Sequence, residues 1–158
     1  MKILITGNLG YIGPELSKFL KKSSLLNLEI YGYDIGLFKQ CTTSSLRIGD
    51  TYYDKQFYKD VRDISKNDIE GIDAVICLAA ISNDPIGNDF EKATNEINFQ
   101  STYQLAKLCS QNNVKKFIFA SSCSMYGSGG TSAKKETDST DPLTAYARSK
   151  IGLENVTG

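Results

Sequence analysis

The sequence predicts an α/β fold on a doubly wound parallel sheet. Three observations carry that expectation: short apolar runs suited to burial on both faces, helix-period segments between them, and a glycine-lined turn after the first run. The runs are KILIT (2–6), LEIYGYD (28–34), DAVICLAA (73–80) and KKFIFASS (115–122). After the first, YIGPELSKFLKK places Ile12, Leu16, Phe19 and Leu20 on one helical stripe. Residues 36–55 mix polar, aromatic and Ser/Thr residues without a period and read as mostly loop. A short strand around Gln56–Val61 completes the first half of the sheet. A longer helical pattern, roughly 88–111, carries Phe90, Ala93, Ile97, Leu105, Ala106 and Leu108, and a further helix is expected from residue 143 onward. Strand and helix alternating in this order puts helices on both faces of the sheet.

Composition narrows the function classes. The chain has 158 residues, enough for one domain with its own core, and no linker, repeat or low-complexity tract divides it. Hydrophobic residues make up 41% and charged residues 23%, the balance of an ordinary globular protein. The formal net charge is zero, so no overall field favours nucleic acid or an anionic membrane. No apolar run approaches the ~20 residues that cross a bilayer. The opening MKILITG reads as a buried strand rather than a signal peptide, since no small-residue cleavage site follows. Cys41, Cys77, Cys109 and Cys123 show no C-x-x-C spacing, which implies reduced thiols and a cytoplasmic setting. Histidine is absent, so acid/base chemistry falls to Tyr, Lys, Asp, Glu or Cys, and no metal site is expected.

In TGNLGYIG, Gly7, Gly10 and Gly13 follow the first strand where a helix begins. Gly7 permits the tight turn, Gly10 lets backbone approach a pyrophosphate, and Gly13 lets the helix pack close to the sheet. The helix N-terminus offers N–H groups and the positive end of a dipole to phosphates, and Pro14 is tolerated because first-turn N–H groups lack intrahelical partners. About 20 residues further on, Asp34 ends the second strand, where a carboxylate accepts from adenosine ribose hydroxyls and repels a 2′-phosphate. The combination points to dinucleotide binding, with NAD favoured over NADP.

The G-x-x-G-x-x-G spacing, DVRD (60–63), ICLAA (76–80), ASSCSMYG (120–127) and the Y-x-x-x-K of Tyr146 and Lys150 together resemble one family. It is the short-chain dehydrogenase/reductase superfamily, in particular its extended branch of nucleotide-sugar epimerases and dehydratases. The resemblance covers nearly the whole chain and implies a Rossmann-type sheet of five strands ordered 3-2-1-4-5. It implies NAD contacts from Gly7, Gly10, Tyr11, Ile12, Gly13 and Asp34, an adenine contact at Asp60 with Val61 beside it, and a cofactor-lining strand end at Leu78, Ala79 and Ala80. The branch usually has histidine where this chain has Cys77.

The same resemblance assigns the chemistry. A free phenol ionises near pH ~10, and a neighbouring ammonium and a positive nicotinamide ring both favour the phenolate. Tyr146 takes a proton from a sugar hydroxyl while hydride leaves the same carbon; Lys150 holds the nicotinamide ribose and supplies charge. Ser122 matches the serine or threonine that bonds the reacting oxygen, with Ser124 as a second candidate, and Asn98 matches an asparagine supporting the site. Dehydratases of the branch carry an Asp–Glu pair where this chain has Cys123 and Ser124, which disfavours 4,6-dehydration. Cys123 reads first as a packed thiol. Asn83 and Asp84 are either substrate contacts or a turn before Pro85.

Members of the branch continue past the Y-x-x-x-K helix into further strands and a substrate lobe. The expectation is therefore a cofactor domain, 1–158, without that lobe. The resemblance also implies a homodimer through helices 88–111 and 143–157. The leading reading is an NAD-dependent nucleotide-sugar epimerase; a keto-sugar reductase or dehydratase and an inert dinucleotide-binding or sensor domain are the alternatives. Tyr146, Lys150 and a loop serine together argue against the inert domain for the whole parent protein, though not for residues 1–158 alone.

Overall fold

The computed structural model describes residues 1–23, 27–37, 52–82, 84–128, 130 and 132–157. Two compact units are distinguished: Met1–Ala79 with Gln104–Ala120, and Ala80–Tyr103 with Ser121–Gly158.

The first unit holds the whole sheet: β1 (Lys2–Thr6), β2 (Glu29–Asp34), β3 (Lys55–Tyr58), β4 (Ala74–Cys77) and β5 (Lys116–Phe119). All neighbours are parallel, in the order β3-β2-β1-β4-β5. That is the predicted 3-2-1-4-5 order. Alternate residues of β1 feed two cores. Leu4 joins Tyr33, Val75, Cys77, Leu105 and Cys109 on one side, while Ile3 and Ile5 join Ile30, Ala74 and Ile76 on the other. Each side is closed by a helix, the first by α4 (Ser101–Gln111) and the second by Leu16 and Leu20 of α1 (Gly13–Lys22). The sheet is thus doubly wound.

Three details differ from the sequence expectation. The buried line of α1 runs through Gly13 and Ser17, and Phe19 is 68% exposed. Ser17 is polar, yet its hydroxyl is bonded to the Gly13 carbonyl and the Tyr53 hydroxyl, so it is buried at little cost. The strands stop earlier than the apolar runs, β4 at Cys77 and β5 at Phe119. β5 is not buried on both faces, since Ile118 is 53% exposed, and among the described residues it pairs only with β4.

The second unit is helical: α2 (Asp84–Asp89), α3 (Glu91–Thr94), a π-helical turn (Asn95–Gln100), the start of α4, a 3₁₀ turn (Cys123–Tyr126) and α5 (Ala145–Thr157). The single long helix expected over 88–111 is therefore interrupted at Phe90 and widened at 95–100. Small residues let α5 approach the π-helical turn: a Cβ on Gly152 would lie 3.1 Å from the Phe99 ring. Leu153, Ala147 and Met125 are buried in this unit, with Thr94 and Asn98. Of the loop expected over 36–55, residues 38–51 lie outside the described residues, as do Cys41 and Asn83.

Candidate functional site

In the first unit the glycine turn is defined by backbone contacts that leave no space for side chains. Gly7 has φ +70°, and a Cβ on it would lie 2.4 Å from the Ala79 nitrogen and 2.8 Å from the Leu78 carbonyl carbon. A Cβ on Gly13 would lie 2.1 Å from the Asn8 carbonyl oxygen. Gly10 differs: its Cβ would meet only the Gly7 carbonyl, at 3.2 Å. Gly7 and Gly13 are demanded by the fold, whereas at Gly10 a Cβ would press on a single backbone oxygen and otherwise leave room for a ligand to approach the backbone.

The turn leads into α1, whose N-cap Ile12 makes no side-chain capping bond. First-turn N–H groups are thereby left for an anion. Tyr11 is fully exposed at this end and Ile12 largely so. Asp34 is fixed beside the turn: its Oδ2 accepts from the Leu9 N–H at 3.2 Å and its Oδ1 from the Gly36 N–H at 2.7 Å. One lone pair on each oxygen remains for ribose hydroxyls. Glycine cradle, helix start and oriented carboxylate fit a dinucleotide.

Asp60, expected to contact adenine, caps the 3₁₀ turn Val61–Asp63 and holds the Arg62 guanidinium in two bonds of 2.7 and 3.0 Å. That guanidinium, first, holds the Asp60 carboxyl below its ordinary value, against a smaller opposing effect of burial. Its carboxylate is thus committed largely within its own turn.

In the second unit, Tyr146 and Lys150 lie one turn apart on α5. Lys150 is only 4% exposed, and its Nζ lies 5.2 Å from the centre of the Tyr146 ring. A cation against an aromatic face is attracted by the ring quadrupole. Tyr146 is half-buried, and its backbone carbonyl accepts from the Ser149 hydroxyl at 2.6 Å.

Ser122 and Ser124 are brought together, their hydroxyls 2.9 Å apart, and Ser122 caps the 3₁₀ turn by accepting from the Ser124 N–H. The turn is closed by Gly127, at φ +61°, where a Cβ would lie 2.2 Å from the Asp141 carbonyl oxygen. The Asp141 N–H in turn donates to the Met125 carbonyl at 2.9 Å. Cys123 is exposed rather than packed.

Asn98 is buried in the π-helical turn and grips one backbone position. Its Oδ1 accepts from the Ile81 N–H at 2.8 Å and its Nδ2 donates to the Ile81 carbonyl at 3.0 Å. Ala80 precedes that position and is half-buried. The side chain of Asp84 lies outside the described residues, and Pro85 sits in the first turn of α2. Sequence reasoning gave no role to Asn8, Tyr53 and Gln56, which bond to one another beside the glycine turn. Among the described residues no acidic, Cys or His cluster suits a metal ion, and no helix is long and apolar enough to cross a membrane.

Known proteins resemble this chain in sequence and in fold. The model of the NAD dependent epimerase/dehydratase family matches residues 3–157. The dTDP-D-glucose 4,6-dehydratase of Dictyostelium discoideum is 30% identical over 178 residues, covering 98% of this chain and 39% of that protein. The uncharacterized UDP-glucose epimerase YtcB of Bacillus subtilis is 31% identical over 165 residues, covering 99% of this chain and 50% of that protein. The solved structure of the UDP-Glc/GlcNAc 4-epimerase from Campylobacter jejuni superposes with a TM-score of 0.80 at 32% identity, covering 98% of this chain and 47% of that one. The chain spans about half the length of the curated relatives it matches or less. With its sheet order, glycine turn and Y-x-x-x-K helix, the chain belongs to the NAD dependent epimerase/dehydratase family, in the nucleotide-sugar branch of the extended short-chain dehydrogenases.

Proposed function

We propose that this chain is the cofactor-binding and acid/base portion of an NAD-dependent nucleotide-sugar epimerase. The observation that carries the reading is the Tyr146–Lys150 pair, a phenol and a buried ammonium 5.2 Å from its ring. Residues Gly7–Gly13 bind the diphosphate through backbone and helix start, and Asp34 receives the adenosine ribose. Leu78, Ala79 and Ala80 line the cofactor, with Val61 beside the adenine. Bound NAD supplies the acceptor that takes a hydride from a sugar carbon and returns it to the opposite face. Tyr146 removes the proton from the sugar hydroxyl and gives it back. Lys150 holds the nicotinamide ribose, Ser122 or Ser124 bonds the reacting oxygen, and Asn98 steadies the Ile81 backbone.

Epimerisation is favoured over dehydration because Cys123 and Ser124 carry no carboxylate. Helices 88–111 and 143–157 are proposed to pair with a second copy, a reading supported by the exposure of Phe90, Tyr103 and Val156. The named relatives act on UDP- or dTDP-linked sugars, which supports the same substrate class here. The test is to give the longest chain its gene encodes, loaded with NAD, a panel of nucleotide-sugars. The expected result is an epimer with no net NADH; net NADH consumption, or a 4-keto-6-deoxy product, contradicts it.

A further inference from the structure

Asn8, within the glycine turn, is fully buried and turns its carboxamide inward. Its Nδ2 donates to Gln56 Oε1 at 2.7 Å, and Gln56 Nε2 donates back to Asn8 Oδ1 at 3.2 Å. Gly32 of β2 leaves room for the pair: a Cβ there would lie 2.2 Å from Gln56 Oε1 and 2.3 Å from Asn8 Nδ2. The Asn8 backbone carbonyl accepts from the Tyr53 hydroxyl at 3.0 Å. That hydroxyl lies 2.7 Å from the Ser17 hydroxyl, itself 2.8 Å from the Gly13 carbonyl. Burial, first, raises the Tyr53 phenol above its ordinary value, so it stays a donor, although the bonds to Ser17 and Asn8 pull the other way. Asp54, next along, accepts from the Ile30 N–H at 2.7 Å and from Lys21 Nζ at 2.6 Å.

The segment 53–56 is thus fastened to α1 at Ser17 and Lys21, to β2 at Ile30, and to the glycine turn at Asn8. A turn asparagine ordinarily bonds its own local backbone. Here the bond reaches a strand 48 residues away, and the Tyr53 hydroxyl, donating to the Asn8 carbonyl, accepts from the Ser17 hydroxyl of α1. A binding loop fixed before its ligand arrives binds more tightly, because less ordering remains to be done on binding.

We propose that the Asn8–Gln56 amide pair, with Tyr53 bridging to α1, is a positioning device that holds the diphosphate-binding turn in its binding conformation. The inference rests on the dinucleotide reading above. Gln56→Leu removes both of Asn8's side-chain partners; Tyr53→Phe removes only the bridge and is the milder variant should the first fail to fold. Hydrogen exchange is read on the peptide spanning 7–13 and on the β1 and β4 amides, and NAD affinity is read by calorimetry. The expected result is exchange about tenfold faster in the turn peptide, with strand protection kept. NAD affinity falls about tenfold in Gln56→Leu and less in Tyr53→Phe. Turn exchange unchanged in a folded variant, or NAD affinity within about twofold of the unsubstituted chain, overturns the inference. If the unsubstituted chain binds no NAD, it is the dinucleotide reading that fails, and the two failures are told apart in that first titration.

Discussion

The Lys150 ammonium lies 5.2 Å from the centre of the Tyr146 ring, on the same face of α5. Replacing Tyr146 by Phe keeps that ring beneath the cation and removes only the hydroxyl. NAD affinity and thermal stability should be unchanged, while epimerase turnover in the longest encoded chain drops about 10²–10⁴-fold, the usual worth of a general acid/base. Turnover close to that of the unsubstituted protein would exclude Tyr146 as the proton carrier.

The glycines of the turn are expected to divide by what they do. Gly13→Ala puts a Cβ 2.1 Å from the Asn8 carbonyl oxygen, backbone that has no freedom to yield, so the variant should unfold or lose several degrees of melting temperature. Gly10→Ala meets only one atom, at 3.2 Å. It should lose less melting temperature than Gly13→Ala and should lose NAD affinity. Calorimetry and thermal melts on both variants check the contrast, and equal effects of the two on stability would refute it.

Asn98→Ala deletes both bonds to Ile81 in a buried place. The freed backbone groups lose their partners, and chemical denaturation should show a loss of about 2–4 kcal/mol. A loss under about 0.5 kcal/mol, typical of a surface change, would mean that the grip on Ile81 is unimportant.

Acid should destabilise the fold. Burial alone would raise the Asp68 carboxyl, but the Lys59 ammonium at 2.6 Å and bonds from Ser65 bring it below the ordinary value. Asp54 is likewise held low, by Lys21 and the Ile30 N–H against burial. A carboxyl lowered in the folded state stabilises fully above its unfolded value of about 3.9, and that stability is lost as pH falls further. Melting temperature should therefore drop below about pH 4, and Lys59→Met should flatten the slope. At the alkaline end, burial first and then Asp68, Asp63 and Asp60 push the Tyr33 phenol up. Its contribution is present below about pH 10 and fades above it. Melts from pH 2 to 11 measure both limbs.

Thiol alkylation of the native protein should label Cys123, which is exposed, and spare Cys77 and Cys109. Burial pushes the Cys109 thiol up to about 11, which keeps it protonated near neutrality. Mass mapping after brief alkylation reads the pattern, and rapid labelling of Cys109 would contradict the core packing.

What was legible in the sequence is what leaves a periodic or compositional trace. Four apolar runs gave the strands, and Gly7 and Gly13 were visible because only glycine fits where a Cβ would strike backbone. Asp34 was visible because it ends a strand at the expected distance from them. The α1 stripe was right at Leu16 and Leu20 but not at Ile12 and Phe19, and it missed Ser17, whose burial through hydrogen bonds hydrophobic patterning does not register. The π-helical turn at Asn95–Gln100 was invisible for a related reason: its wider spacing has no composition of its own. Asn8 and Gln56 are 48 residues apart, and no local pattern links two amides at that distance. β5 reads as a fully buried strand, yet among the described residues it pairs on one side only, and it leaves Ile118 exposed.

The most direct test of the account is a calorimetric titration of this chain with NAD and with NADP. Asp34 beside the glycine turn predicts saturable NAD binding, with NADP weaker by at least about tenfold because its 2′-phosphate meets the carboxylate. Equal affinity for the two, a preference for NADP, or no binding of either would contradict it.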